Sequence, residues 1–308
     1  MWKWSGRRGL DSVRGARHLV APSSPEPLVP QPAIAARFFL ELALGLFVSL
    51  ALLDRKTIGP GFTRLMGLFV LGVLLPAWLL ARNTGAATGT LALGGAFGAA
   101  TVLLMVFAGS FKANRFGRAL EAGLIAAGTV CGTAALLLSV RAGLDPETAR
   151  ATPLLLASSA GSMLVLGLVT GAMILGHWYL VTPDLPVVHL GRLTRAALVA
   201  TYAKLLLLAI TGAVFSDRFA AGGHALAALI GLGDANSASF HAQLDFLWVV
   251  ARVLIGLIGT AVLCHMTLAT VKLKATQPAT GILYAATVMV LMGELFAYVG
   301  EQSFRLVL

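Results

Sequence analysis

Residues 153–181 read PLLLASSAGSMLVLGLVTGAMILGHWYLV, a run without a single Asp, Glu, Lys or Arg. A helix that crosses the hydrocarbon of a bilayer needs about 20 mostly apolar residues. This run exceeds that length, so it is expected to tilt or to project beyond the lipid. It also holds Gly167-x-x-x-Gly171, a spacing that lets two helix backbones meet where lipid leaves no hydrophobic force between them. Seven further runs of the same kind lie at 33–53, 64–81, 88–110, 119–140, 196–215, 246–271 and 279–300. The expected fold is therefore all-α, a polytopic transmembrane bundle of about eight spans. Residues 219–232 are apolar but too short to span; they are expected to be re-entrant or interfacial, with a ninth span as the alternative.

Composition agrees. The chain has 308 residues, 58% hydrophobic and 12% charged, with mean hydropathy +0.87. A globular domain carries about 25% charged residues and hides far less apolar surface. A soluble enzyme, a disordered protein and a disulfide scaffold are thus excluded. Cys131 and Cys264 both fall inside apolar runs and read as structural thiols. The organisation expected is a basic, proline-rich disordered tail over 1–32 followed by one transmembrane domain over 33–308.

The net charge of +10 is spread over the tail and the short loops. That is where basic residues set orientation or touch anionic lipid head groups, so lipid and not nucleic acid is the expected partner. Let the near side be the one holding the tail and the loops after spans two, four and six. The far side holds Arg55, Lys56, Lys112, Arg115, Arg118, Arg192, Arg195, Lys272 and Lys274 among others, and reads as cytoplasmic. The tail, with Lys3, Arg7, Arg8, Arg14 and Arg17, argues the reverse. The compartment expected is the cell inner (plasma) membrane, with other membrane subunits as candidate partners.

Short loops make sequential helices antiparallel neighbours. Trp78, Trp178, Tyr179, Trp248, Tyr284 and Tyr298 sit near span ends, where aromatic side chains prefer the interface. Gly128-x-x-x-Gly132 and the cluster Gly94, Gly95 and Gly98 mark further close contacts. The triplets Phe62-Thr63-Arg64 and Leu193-Thr194-Arg195 open the second and sixth spans alike, which hints at a parallel four-plus-four repeat.

Ionisable residues inside spans cost about 2.5–3.5 kcal/mol each on insertion scales, so they face partners or cavities. At about 1.5 Å of rise per residue, Arg37 and Glu41 lie about 6 and 12 Å from the near edge, and Arg252 and Glu294 about 9 Å from it. Two arginines and two glutamates from three helices thus share one depth. They read as an ion-pair clamp or as a proton- or anion-handling site. Toward the far side, His177 and His265 share a depth of about 6 to 9 Å. Two imidazoles on facing helices can ligate a haem iron, so haem b is one cofactor the pair could hold; a metal or proton-relay role, or plain hydrogen bonds to loop carbonyls and head groups, are the alternatives. Lys204, toward the same side, is expected to snorkel or to meet a haem propionate. No spacing typical of zinc sites, nucleophile elbows or P-loops occurs.

Three functions follow as expectations. The first is a redox-associated subunit, haem b or quinone-linked, using His177 and His265. The second is a proton- or anion-coupled transporter using Arg37, Glu41, Arg252 and Glu294. The third is a non-catalytic scaffold or assembly subunit.

Overall fold

The computed structural model describes residues 31–109, 115–143, 151–217 and 247–304. Residues 1–30 of the expected tail and residues 219–232 lie outside these, while residues 31 and 32 belong to the first helix. Eight described helices are long and apolar enough to cross a membrane: α1 Gln31–Ala51, α2 Pro60–Asn83, α3 Thr88–Phe107, α4 Arg115–Ala142, α5 Thr152–Val181, α6 Val188–Val214, α7 Leu247–Lys272 and α8 Thr276–Phe304. The chain is an all-α, multi-pass membrane bundle. Large apolar side chains such as Leu68, Val106, Val130, Val199 and Leu206 are exposed on its perimeter, as a lipid-facing surface requires.

Local chemistry sets the helix ends. Gly59 takes φ 89° ahead of Pro60, the first residue of α2. Proline there loses nothing, since its missing N–H would have no helical partner. Past the end of α2, Gly85 takes φ 73°. Its N–H donates to the Arg82 carbonyl at 3.2 Å and that of Ala86 to Ala81 at 3.0 Å. This left-handed cap satisfies carbonyls that the helix leaves open. Lys274 at φ 55° closes α7 in the same way, with Lys274 and Ala275 donating to Val271 and Thr270.

α6 begins at Val188, well before the residue 196 expected from the charges. Leu190, Leu193, Thr194 and Ala197 are buried while Arg192 and Arg195 are exposed. That spacing is one face of an amphipathic helix, and it carries two residues that the charge pattern assigns to a loop.

The helices close two rings. α1 packs on α2 and α4, and α3 completes the ring against both. α5 packs on α6 and α8, and α7 completes the second ring against both. The contact order of the first four helices is thus repeated by the last four, and Thr63 and Thr194 of the matched triplets are both buried. α1 and α5 join the rings.

Small residues build these seams. A Cβ on Gly45 of α1 would run into the Met163 carbonyl and the Gly167 backbone, and one on Gly171 would meet Ser49 Oγ at 2.8 Å. The expected Gly167/Gly171 pair therefore carries the joint between the rings. Gly128 and Gly132 of α4 give the room taken by Phe47 and Leu44 of α1. Gly98 lies against Leu74 and Gly94 against Trp78, but Gly95 meets nothing. In the second ring, Gly256 of α7 and Gly293 of α8 touch backbone to backbone.

Candidate functional site

Within α7, residues Arg252–Gly259 form a π-helix. Such segments are rare and occur frequently at functional sites. Its first residue, Arg252, is 0% exposed, as is Lys204 of α6, and Glu294 of α8 is 1% exposed. Arg252 Nη2 donates to Glu294 Oε1 at 2.5 Å and reaches Ser162 Oγ at 3.5 Å. Nε and Nη1 of the same guanidinium are buried without a hydrogen-bond partner. Cβ atoms on Gly256 and Gly293 would come within 3.2 and 3.1 Å of Nη1, so the glycine contact also keeps space for the guanidinium.

α1 brings a second set to the same near-side half. Arg37 Nη1 donates to Glu301 Oε1 at 2.8 Å, and Nη2 donates to the other oxygen. This two-pronged pairing matches the planar guanidinium to the carboxylate. The Arg37 guanidinium also lies over the Tyr298 ring, 5.0 Å from its centroid. Arg37 Nε has Glu41 Oε1 at 3.8 Å but no hydrogen-bond partner. Glu41 accepts from Ser159 and from the Tyr298 hydroxyl at 2.7 Å.

α5 separates and links the two sets. Ser159 holds Glu41, Ser162 reaches Arg252, and Ser158 accepts from Lys204 Nζ at 2.7 Å on its hydroxyl and 2.9 Å on its carbonyl. A Cβ on Gly161 would stand 3.1 Å from the Lys204 stem, so that glycine gives the lysine its path inward. Lys204 lies within electrostatic range of Arg252 and Glu294. Three cations (Arg37, Lys204, Arg252) thus share the core with three carboxylates (Glu41, Glu294, Glu301). An isolated charge in such a place costs several kcal/mol, roughly, and is retained by pairing of this kind.

The four residues matched by depth therefore lie in one buried cluster beside α5, with Arg252 paired to Glu294 and Glu41 close to Arg37, whose own partner is Glu301. Sequence reasoning missed Glu301, which lies one residue past the expected end of its span, and the serines, which carry no charge to mark them. It also placed Lys204 and Tyr298 wrongly. Lys204 neither snorkels nor lies at the perimeter, and Tyr298 is buried against Glu41 instead of sitting at the interface. Tyr179 is buried too and donates to the Pro186 carbonyl at 2.6 Å. A sharper signal was available in Arg37, Glu41, Glu294, Tyr298 and Glu301 together, whose spacings put each helix's set on one face.

The histidines are placed differently. His177 of α5 and His265 of α7 are both exposed. His177 Nδ1 is hydrogen-bonded to Tyr284 of α8 at 3.1 Å, and His265 Nε2 to Tyr202 of α6 at 2.8 Å. Since α5 packs on α8 and α7 on α6, the two imidazoles occupy opposite seams of the second ring. The structure does not bring them together in the way the shared depth suggests. His224 and His241, with Asp234 and Asp245, lie outside the described residues.

Compared with known protein families, curated proteins and solved structures, the chain finds no match.

Proposed function

We propose that this multi-pass protein is a transporter that takes a small anion at Arg252, coupled to a proton carried on Glu294. The observation that carries this reading is the buried guanidinium with two N–H groups unpartnered. Among the described charged side chains of this core, the fully buried atoms without a hydrogen-bond partner are Arg37 Nε and Nε and Nη1 of Arg252, all N–H donors. Buried donors left open cost about 1–3 kcal/mol each, more when charged, and an incoming acceptor satisfies them. An anion that binds Arg252 competes with Glu294 for it. A proton taken up on Glu294 offsets the charge the anion brings, so anion and proton bind together without net charge. The inner (plasma) membrane is the compartment this reading implies, because proton coupling needs an energised bilayer.

Purified protein in proteoliposomes, with a pH dye trapped inside, tests this. Chloride, nitrate, phosphate and succinate gradients are imposed in turn. One of them is expected to drive proton entry above empty vesicles. Glu294→Gln, which removes the proton-carrying carboxylate, and Arg252→Lys, which removes the planar set of N–H donors, should each slow it by more than about tenfold. Ser162→Ala, a milder change, should slow it less. No proton movement with any anion, or equal rates in the wild type and in folded Glu294→Gln, overturns the proposal.

A further inference from the structure

The first ring encloses a cavity of about 500 Å³ between α1, α2, α3 and α4 at the near side. That volume lies within the range of about 300–1,000 Å³ typical of small-molecule sites. Its chemistry changes with depth. At the inner end the walls are Leu40, Leu74, Gly94 and Ala135, all apolar or without a side chain. Toward the near-side surface they include Thr84, Thr90 and Arg141, with Arg37 between the two zones. Among the described lining residues the charged ones are Arg37 and Arg141, and none is a carboxylate. Trp78 forms part of the wall, donates its indole N–H to the Leu91 carbonyl at 3.2 Å, and carries the Arg82 guanidinium over its ring at 5.8 Å.

An occupant that matches this gradient has an apolar body of limited volume and one anionic end. Two-chain lipids exceed the space, and a cation finds no carboxylate among the described lining residues, since Glu301 and Glu41, which neighbour Arg37, are not among them. A second observation points the same way: Arg37 is 6% exposed, lines the cavity, and has an Nε without a hydrogen-bond partner. We propose that the first ring binds a single-chain fatty-acid-type amphiphile, its chain among Leu40, Leu74 and Gly94 and its carboxylate between Arg37 and Arg141. This site stands apart from Arg252, and the proposal does not rest on anion transport.

The test is equilibrium binding of radiolabelled palmitate to the purified full chain in detergent, with unlabelled palmitate and hexadecanol as competitors. The expected result is one saturable palmitate per chain, displaced at least about tenfold less well by hexadecanol, which lacks the charge. Arg141→Gln, a surface change that leaves the packing intact, should weaken palmitate by about tenfold. Gly94→Leu, which fills the inner end, should abolish binding with the helix content unchanged. Unsaturable uptake, equal competition by hexadecanol, or unaltered affinity in Arg141→Gln overturns the proposal. If Gly94→Leu fails to fold, Arg141→Gln decides alone. Both substitutions lie outside the Arg252 cluster, so proteoliposome flux should survive them, and failure here leaves the transport reading standing.

Discussion

The ring α1–α4 and the ring α5–α8 share a contact order but fill their interiors in opposite ways. In the first, Phe47 and Phe97 meet edge to face with centroids 5.1 Å apart, and Leu104 and Leu136 are buried beside them. In the second, Lys204, Arg252 and Glu294 lie at the centre. Lipid tails are as apolar as leucine, so neither ring is driven together by hydrophobic burial. The first ring relies on close fit at Gly128 and Gly132. The second adds the Arg252–Glu294 ion pair, whose strength depends on both partners being present. One arrangement tolerates an empty space near its surface, and the other tolerates almost no change of charge.

That contrast breaks most visibly at Arg252. Arg252→Met leaves Glu294 buried and unpaired, and should cost about 3–5 kcal/mol. Arg252→Met with Glu294→Leu should recover most of that loss, because one positive and one negative charge are removed together. Thermal unfolding in detergent measures both. A double variant as unstable as the single one would mean that the second ring depends on the pair for its packing and not only for charge balance.

The joint between the rings comes next. Gly45→Ala should cost about 1–3 kcal/mol through overpacking against Met163 and Gly167. Gly72→Ala, where a Cβ meets nothing within 4 Å, should be neutral or slightly stabilising. The same unfolding assay compares them, and equal effects would remove Gly45 from the joint.

The smallest effects belong to the histidine seams. Tyr202→Phe and Tyr284→Phe each remove one exposed interhelical hydrogen bond, and such bonds average about 0.6 kcal/mol in membranes. Stability should fall by no more than about 1 kcal/mol in either variant. A larger loss would mean that the second ring is held from its perimeter as well as from its core.

How much of this is legible without coordinates depends on the kind of signal. Charges inside apolar runs stand out, so Arg37, Glu41, Arg252 and Glu294 can be found and matched by depth. Serines inside apolar helices do not stand out, because Ser158, Ser159 and Ser162 are unremarkable until it is known that α5 packs on α1, α6 and α8 and that Arg252 of α7 reaches Ser162. Depth alone also misleads. His177 and His265 share it as well as the arginines and glutamates do, yet they lie on opposite seams. A helix offers a full circle of directions at each depth, and only packing chooses among them.

Composition and hydropathy alone gave the class, the number of spans and the positions of Arg37, Glu41, Arg252 and Glu294 along their helices. Those follow from the thickness of the hydrocarbon and a fixed rise per residue, both indifferent to neighbours. Only the tertiary structure decided which helices touch. That choice made Glu301 the partner of Arg37, enclosed Lys204, left Arg252 with two open N–H groups and opened the cavity in the first ring. Its physical reason lies in contacts such as Gly45 on Gly167 and Gly256 on Gly293, where the absence of a side chain on both helices at once selects the pair.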